Sequence, residues 1–217
     1  MKFIIESPNI KTINSLSKIS LSPNINNRTF DDRSILREFR DKILIDGHYI
    51  VDGIVEKKFR NQETKFFNYK DHKYKFKMFD TGSIQLPGCK SIDSCYKIFN
   101  KFVKIINKKK IILDGETKSI KIKLGEIKIV MIHARFNILN IKLNMHKLYE
   151  TLKNDNKITV EYTDKYPAVK IIVNGVRMQI FSSGNVGMLG SKTQEQVDAG
   201  HKYIVDFINE NFDKICV

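Results

Sequence analysis

From Tyr74 to Phe79 hydrophobic and polar residues alternate, with Tyr74, Phe76 and Met78 in one register and Lys75, Lys77 and Phe79 in the other. Successive side chains on a strand point to opposite faces, so YKFKMF predicts a strand with one apolar and one basic face. VRMQIF predicts the same, setting Val176, Met178 and Ile180 against Arg177, Gln179 and Phe181. Beyond the turn after each run, Ile84 with Leu86 and Val186 with Met188 continue the apolar set. IKTINSLSKISL (10–21) and EIKIVMIHARFNIL (126–139) read as further extended segments. A helical period takes over in DDRSILREFRDKI, where Ile35, Leu36, Phe39 and Ile43 form one stripe and Asp31 or Asp32 is available as N-cap. NMHKLYETLKND carries Met145, Leu148, Tyr149 and Leu152 at the same spacing. VNGV (173–176) is a two-residue hairpin signal between AVKIIV and VRMQIF, and KDHK (70–73) plays that part before YKFKMF through a longer turn. Each half thus reads as strand, helix, several strands and a long helix.

The halves also share a string. FDTGSIQLPGCK (79–90) returns as FSSGNVGMLGSK (181–192), an offset of 102 residues in a chain of 217. Self-similarity at that spacing predicts a duplicated half-domain and not a solenoid. The long helices follow directly: Cys95, Phe102, Val103 and Ile106 match Val197, Ile204, Val205 and Ile208, each pair again 102 apart. One face of the predicted sheet therefore packs on helices while the other is polar and basic. Each copy also puts a phenylalanine, Phe79 or Phe181, on the basic face beside a glycine turn. Such a ring either tucks under the turn or stacks on nucleic-acid bases, and its recurrence in both copies favours the second reading.

Composition narrows the classes. With 41% hydrophobic and 29% charged residues the chain is globular, as one domain or two small ones. No apolar run is long enough to span a bilayer, MKFIIESPN turns polar too early for a signal peptide, and no membrane association is expected. Cys89, Cys95 and Cys216 are odd in number and lack metal-ligand spacing, which fits packing roles in a reducing compartment. A formal net charge of +14 points to a polyanionic partner, most simply nucleic acid, although abundant Lys, Ile and Asn also fit an AT-rich coding bias. The five histidines show no metal-binding spacing, and no nucleophilic triad, glycine-rich phosphate loop or pair of acids stands out. The reading is of a non-enzyme without cofactor or metal.

The two Phe-x-x-Gly…Gly-x-Lys strings with their following helices resemble the TATA-box-binding protein (TBP) family, most closely its divergent members from large DNA viruses. SPNIKTINSLS and EIKIVMIHA are similar to the family's first strand in each half, YPAVKI (166–171) to its Phe-Pro-Gly segment, and KKFRNQ (57–62) to the basic-Phe segment of the first half. The resemblance covers nearly the whole chain. It implies an α+β saddle of two pseudo-symmetric repeats, 1–110 and 124–217, with 111–123 as linker or extra hairpin. A curved antiparallel sheet would lie over the DNA minor groove, with helices on the convex face for protein partners. Carried over, the wedging pairs are Phe59 with Phe79 and Tyr166 with Phe181, and Lys90 and Lys192 take positions near the phosphates; Lys75, Lys77, Arg177 and Gln179 join them by strand parity.

Several positions depart from the family. Its groove-reading asparagines are Thr12 and Met131 here, and its valines two residues on are Asn14 and His133. The threonine before the second glycine becomes Pro87 or Leu189, and the lysine after the first becomes Ser83 or Asn185. Binding through the groove is compatible with these changes; TATA specificity is what they put at stake. The expected function is a transcription initiation factor that binds and bends AT-rich promoter duplex. The resemblance implies a TFIIB-like factor and a multisubunit RNA polymerase as partners, in a host nucleus or cytoplasmic viral factory, with packaging in the virion as a further option. The alternative is a saddle-shaped interaction module of a transcription complex without specific DNA binding; a TBP-fold domain serving an enzyme, as in some nucleases, is a second rival, against which the absence of a catalytic segment counts. Two segments stay open. LDGETKSIKIKLGE (113–126), after the lysine run 108–110, is either a hairpin around Asp114-Gly115 or a linker followed by a strand. EKKFRNQETKFFNYKDHK (56–73) is either a DNA-contacting loop or a strand with core aromatics.

Overall fold

The computed structural model describes residues 3–21, 62–69, 72–108, 110–113, 116–119 and 121–217. The helix expected over 31–43 and the wedge candidate Phe59 lie outside these residues. The described chain runs β1 (Ile4–Ile5), β2 (Asn9–Leu21), β3 (Gln62–Tyr69), β4 (His72–Phe79), β5 (Ser83–Cys89), α1 (Ile92–Ile106), β6 (Lys110–Leu113), β7 (Glu116–Ser119), β8 (Ile122–Leu124), β9 (Lys128–Leu139), α2 (Met145–Lys153), β10 (Thr159–Glu161), β11 (Ala168–Val173), β12 (Val176–Phe181), β13 (Asn185–Ser191) and α3 (Gln194–Ile215). It forms an α+β fold in two compact units, residues 13–129 and residues 1–12 with 130–217.

In the unit of residues 13–129 the strands follow the order β3–β4–β5–β2, all antiparallel, and β8 pairs with the end of β2 through Ile19↔Leu124. Phe76, Met78, Ile84 and Leu86 are fully buried on one sheet face, as the alternation predicts. α1 covers that face. Ser91 caps it by accepting from the Ser94 N–H, and Phe76 stacks on Phe102 at 4.3 Å and meets Phe99 edge-on at 5.5 Å. β6 and β7 form a separate antiparallel hairpin.

The other unit follows the order β10–β11–β12–β13–β9, and β1 pairs with the end of β9 through Ile5↔Ile138. Val176, Met178, Ile180, Val186 and Met188 are buried beneath α3, which Thr193 caps by accepting from the Gln196 N–H. Asn174 and Gly175 turn the β11–β12 hairpin with φ of 50° and 78°, the two left-handed residues a two-residue turn requires. In α2, Leu148 and Leu152 are buried while Met145 and Tyr149 are half-buried.

The repeat extends to backbone detail. Gly82 and Gly184 have φ of 78° and 82°, and Gly88 and Gly190 have φ of 96° and 90°. The second pair sits in a β-bulge in each unit: the four residues Leu86 to Cys89 lie against the three from Ile13 to Ser15, and the four from Met188 to Ser191 against the three from Ile132 to Ala134. These registers also place Ile13 opposite the same repeat position as Ile132, so β2 and β9 correspond at an offset of 119. At that offset Ile5 matches Leu124, and the two short strands have changed places. β1, ahead of β2 in sequence, pairs with β9, whereas β8, ahead of β9, pairs with β2.

Three expectations change. The turn before β4 is not longer than its counterpart: Tyr69 pairs with His72, leaving two residues between the strands, and it is the hairpin that is longer, with eight pairs against six. Val103 and Val205 are only half-buried; the helix stripes are completed by Ile98 and Phe99 in α1 and by Gly200 in α3. The 56–73 segment holds a strand, β3, and Phe66 on it lies on the basic face and not in the core.

Candidate nucleic-acid interface

Strand pairing determines which side chains share a face, because directly paired residues point the same way. In the first unit Lys75 is exposed, and Lys77 and Phe79 are half-buried, on the sheet face turned away from α1. Across the hairpin lie Phe66, Thr64 and Gln62 in turn. The Phe66 ring has Lys73 Nζ 4.2 Å and Lys75 Nζ 5.4 Å from its centroid, within cation–π range. Along β2, Asn14 occupies this open side, half-buried, between buried Ile13 and Ser15, while Thr12, also half-buried on β2, belongs to the other unit. Lys90 is exposed at the junction between β5 and the cap of α1.

The second unit repeats the arrangement with different chemistry. Arg177 is exposed and Gln179 and Phe181 are half-buried on the open face of β12. The structure brings Tyr166 to Phe181, with ring centroids 6.4 Å apart, and sets Lys170 Nζ 4.5 Å from the Tyr166 centroid. Met131 and His133 are half-buried on the open side of β9, where Arg135 and Asn137 continue the same alternation. Leu189 lies in the bulge beside Gly190, paired with Arg177, and Lys192 is exposed just before the cap of α3. Burial, together with the charges of Arg135 and Lys11, holds the His133 imidazole below its ordinary pKa, and Arg135 Nε donates to His133 Nε2 at 3.4 Å.

A depression of about 340 Å³ opens on this face around Gly187, which pairs with Arg135 on one side and Gln179 on the other. Gln85 occupies the equivalent position in the first unit. Phe66, Arg135, Asn137 and Gly187 are the residues that sequence reasoning missed. The parity of β9 already places Arg135 and Asn137 beside His133; Phe66 needed the hairpin register, which no pattern within β3 supplies. Among the described residues no group of three or more His, Cys, Asp or Glu side chains is placed to hold a metal ion, and no helix is long and apolar enough to cross a membrane.

A duplicated α+β unit whose helices cover one sheet face, and whose other face is basic and carries a ring before a left-handed glycine in each copy, is a TBP-like fold. The chain matches the TBP of Methanococcus jannaschii in fold with a TM-score of 0.57 at 19% identity, covering 94% of this chain and 99% of that one. In sequence it is similar to "Putative TATA-binding protein pB263R" of African swine fever virus, being 26% identical over 164 residues to the protein of a Kenyan pig isolate and 27% to that of a South African tick isolate. These matches take in 69% of this chain, and the chain spans about 60% of the length of the curated relatives. No protein-family profile matches the chain. The chain thus shares the TBP fold and is similar in sequence to these viral proteins.

Proposed function

We propose that this protein is a transcription initiation factor that binds promoter duplex through the minor groove and bends it. The observation that carries the reading is the open sheet face of each unit. Both join Lys or Arg to an aromatic ring three residues before a left-handed glycine, at Phe79–Gly82 and Phe181–Gly184. Cations hold phosphates irrespective of sequence, while rings beside a tight turn are positioned to enter a deformable base step. The picture of unstacking and kinking is taken over from TBP itself. Here the rings are Phe79 in the first unit and Phe181 with Tyr166 in the second. Thr12, Asn14, Met131, His133 and Leu189 form the groove floor, and Lys75, Lys77, Lys90, Arg177 and Lys192 the phosphate contacts. The protein works by binding and not by catalysis. The helices would engage a TFIIB-like factor and a multisubunit RNA polymerase, in a nucleus or a viral factory.

Mobility shift on AT-rich duplex across a salt series tests this reading, which expects retarded complexes whose affinity falls steeply with salt. Met131 and Leu189, apolar where the floor would hydrogen-bond, favour a second reading as a protein-interaction module of a transcription complex. Failure to shift any duplex at low salt selects that one.

A further inference from the structure

The two open faces differ most around Gly187, and the difference has a direction. Glu6 follows β1, the strand exchanged onto β9, and its N–H donates to the Asn137 carbonyl at 2.9 Å. The Asn137 side chain in turn donates through Nδ2 to Glu6 Oε2 at 2.6 Å. That leaves Asn137 Oδ1 oriented as an acceptor. Asn185 donates through Nδ2 to Ser183 Oγ at 2.7 Å, so its Oδ1 is an acceptor as well. Both asparagines line the depression, and they pair with each other across β13 and β9. The first unit has neither device. Gly125 stands where Glu6 does, donating to the Lys18 carbonyl at 2.7 Å; Lys18 stands where Asn137 does, and Gln85 fills the place of Gly187.

In the minor groove A·T and T·A pairs show acceptors only, and the guanine 2-amino group is the single donor, projecting from the groove floor. A flat or filled face is obstructed by that group; a depression lined by fixed acceptors receives it. We propose that the second unit accepts, and reads, a G·C pair through the guanine 2-amino group, with Asn137 and Asn185 as acceptors and Gly187 as the space. The first unit rejects G·C. The protein then favours a site that is A·T in one half and contains G·C in the other, which also sets the direction in which a pseudo-symmetric protein lies on the duplex. This rests on the minor-groove reading above.

The test replaces each A·T pair of a bound duplex, one at a time, by G·C and by inosine·C, which differ only in the 2-amino group. Affinity is read by mobility shift. In one half-site a G·C position binds about 5-fold tighter than inosine·C, the worth of one added hydrogen bond. In the other half every G·C position binds more weakly than inosine·C. Asn137→Ala brings the ratio to one at the preferred position. Gly187→Gln reverses it, and this variant folds because a Cβ at 187 meets nothing within 4 Å. Guanine weaker than inosine at every position overturns the inference while leaving minor-groove binding intact, as does a preference that Asn137→Ala and Gly187→Gln both leave unchanged. A protein that shifts none of the duplexes overturns both readings.

Discussion

Gly200 of α3 lies beneath Met188 of β13 so closely that a Cβ on the glycine would stand 2.7 Å from Met188 Cε and 3.5 Å from Met178 Cε. The matching trio in the first unit is Ile98, Leu86 and Phe76, all buried. The two cores fill the same space differently: where the helix lacks a side chain, two long flexible methionines reach in from the sheet. Gly200→Ile therefore overpacks the second core and costs about 1–3 kcal/mol by chemical denaturation. Adding Met188→Leu recovers part of that loss, with a coupling of at least about 0.5 kcal/mol in a double-mutant cycle. Additive effects would mean the two positions do not share a cavity.

Ser191 carries a second consequence of divergence between the copies. Its Oγ is fully buried and has no hydrogen-bond partner. At the equivalent position Cys89 is hydrogen-bonded to the Cys95 thiol, but residue 197, in the place of Cys95, is valine. An unsatisfied buried hydroxyl costs about 1–3 kcal/mol. Ser191→Ala is expected to raise stability by about 1 kcal/mol, seen as a higher denaturant midpoint at unchanged slope. A destabilised variant would show that the hydroxyl is satisfied in solution.

Bending separates wedging from simple electrostatic attraction. Unstacking a base step costs on the order of a few kcal/mol, offset by the surface a bent duplex presents. Phe79→Ala combined with Phe181→Ala should abolish most bending in a fluorescence-transfer assay while residual binding persists. Both rings are half-buried on the face away from the helices, so folding should change little. Unfolding of the double variant would assign the rings to the core instead.

The first hairpin supplies cations that its counterpart lacks. Lys73, Lys75 and Lys77 face the same way as Phe66, whereas in the second unit Glu161 pairs with Lys170. Each phosphate contact contributes about 0.9 to the slope of log affinity against log salt. Lys73→Ala with Lys75→Ala should flatten that slope by about 1.8 and weaken all duplexes alike. A slope unaltered by the pair would remove them from the phosphate contacts.

Acid stability should depend on Asp155. The Lys157 N–H and the Tyr203 hydroxyl, which donates to Asp155 Oδ2 at 2.9 Å, hold its carboxyl below the ordinary aspartate range. A depressed folded-state pKa gives stability that is present above the unfolded-state value and lost as pH falls through the folded-state value. Tyr203→Phe should cost at most about 1 kcal/mol at neutral pH, since the carboxyl is screened by solvent, and should flatten the acid limb of the stability profile. Burial and Asp155 raise the Tyr203 hydroxyl, so its own contribution is lost only as pH climbs above the ordinary tyrosine range. An acid limb identical in Tyr203→Phe would show that the pair does not form.

Much of this protein is local, and local features are written in the chain. The alternation in YKFKMF and VRMQIF assigned the buried and open faces correctly, because strand side chains must point to opposite sides whatever lies beyond. The 102-residue repeat foretold the paired glycines, since a left-handed backbone position favours glycine. The positions carried over as the groove floor fell on the open faces of β2 and β9, at the 119-residue offset the registers now show. Pairing between distant segments was not legible. That Phe66 shares a face with Lys75 depends on hairpin register, and that β1 joins β9, bringing Glu6 to Asn137, depends on which of two similar strands a short segment meets. The depression at Gly187 exists only once Arg135 and Gln179 flank it. Periodicity specifies the face on which a side chain stands, whereas its neighbours are chosen by the register of backbone hydrogen bonds between strands, some of them more than a hundred residues apart, which only the tertiary structure decides.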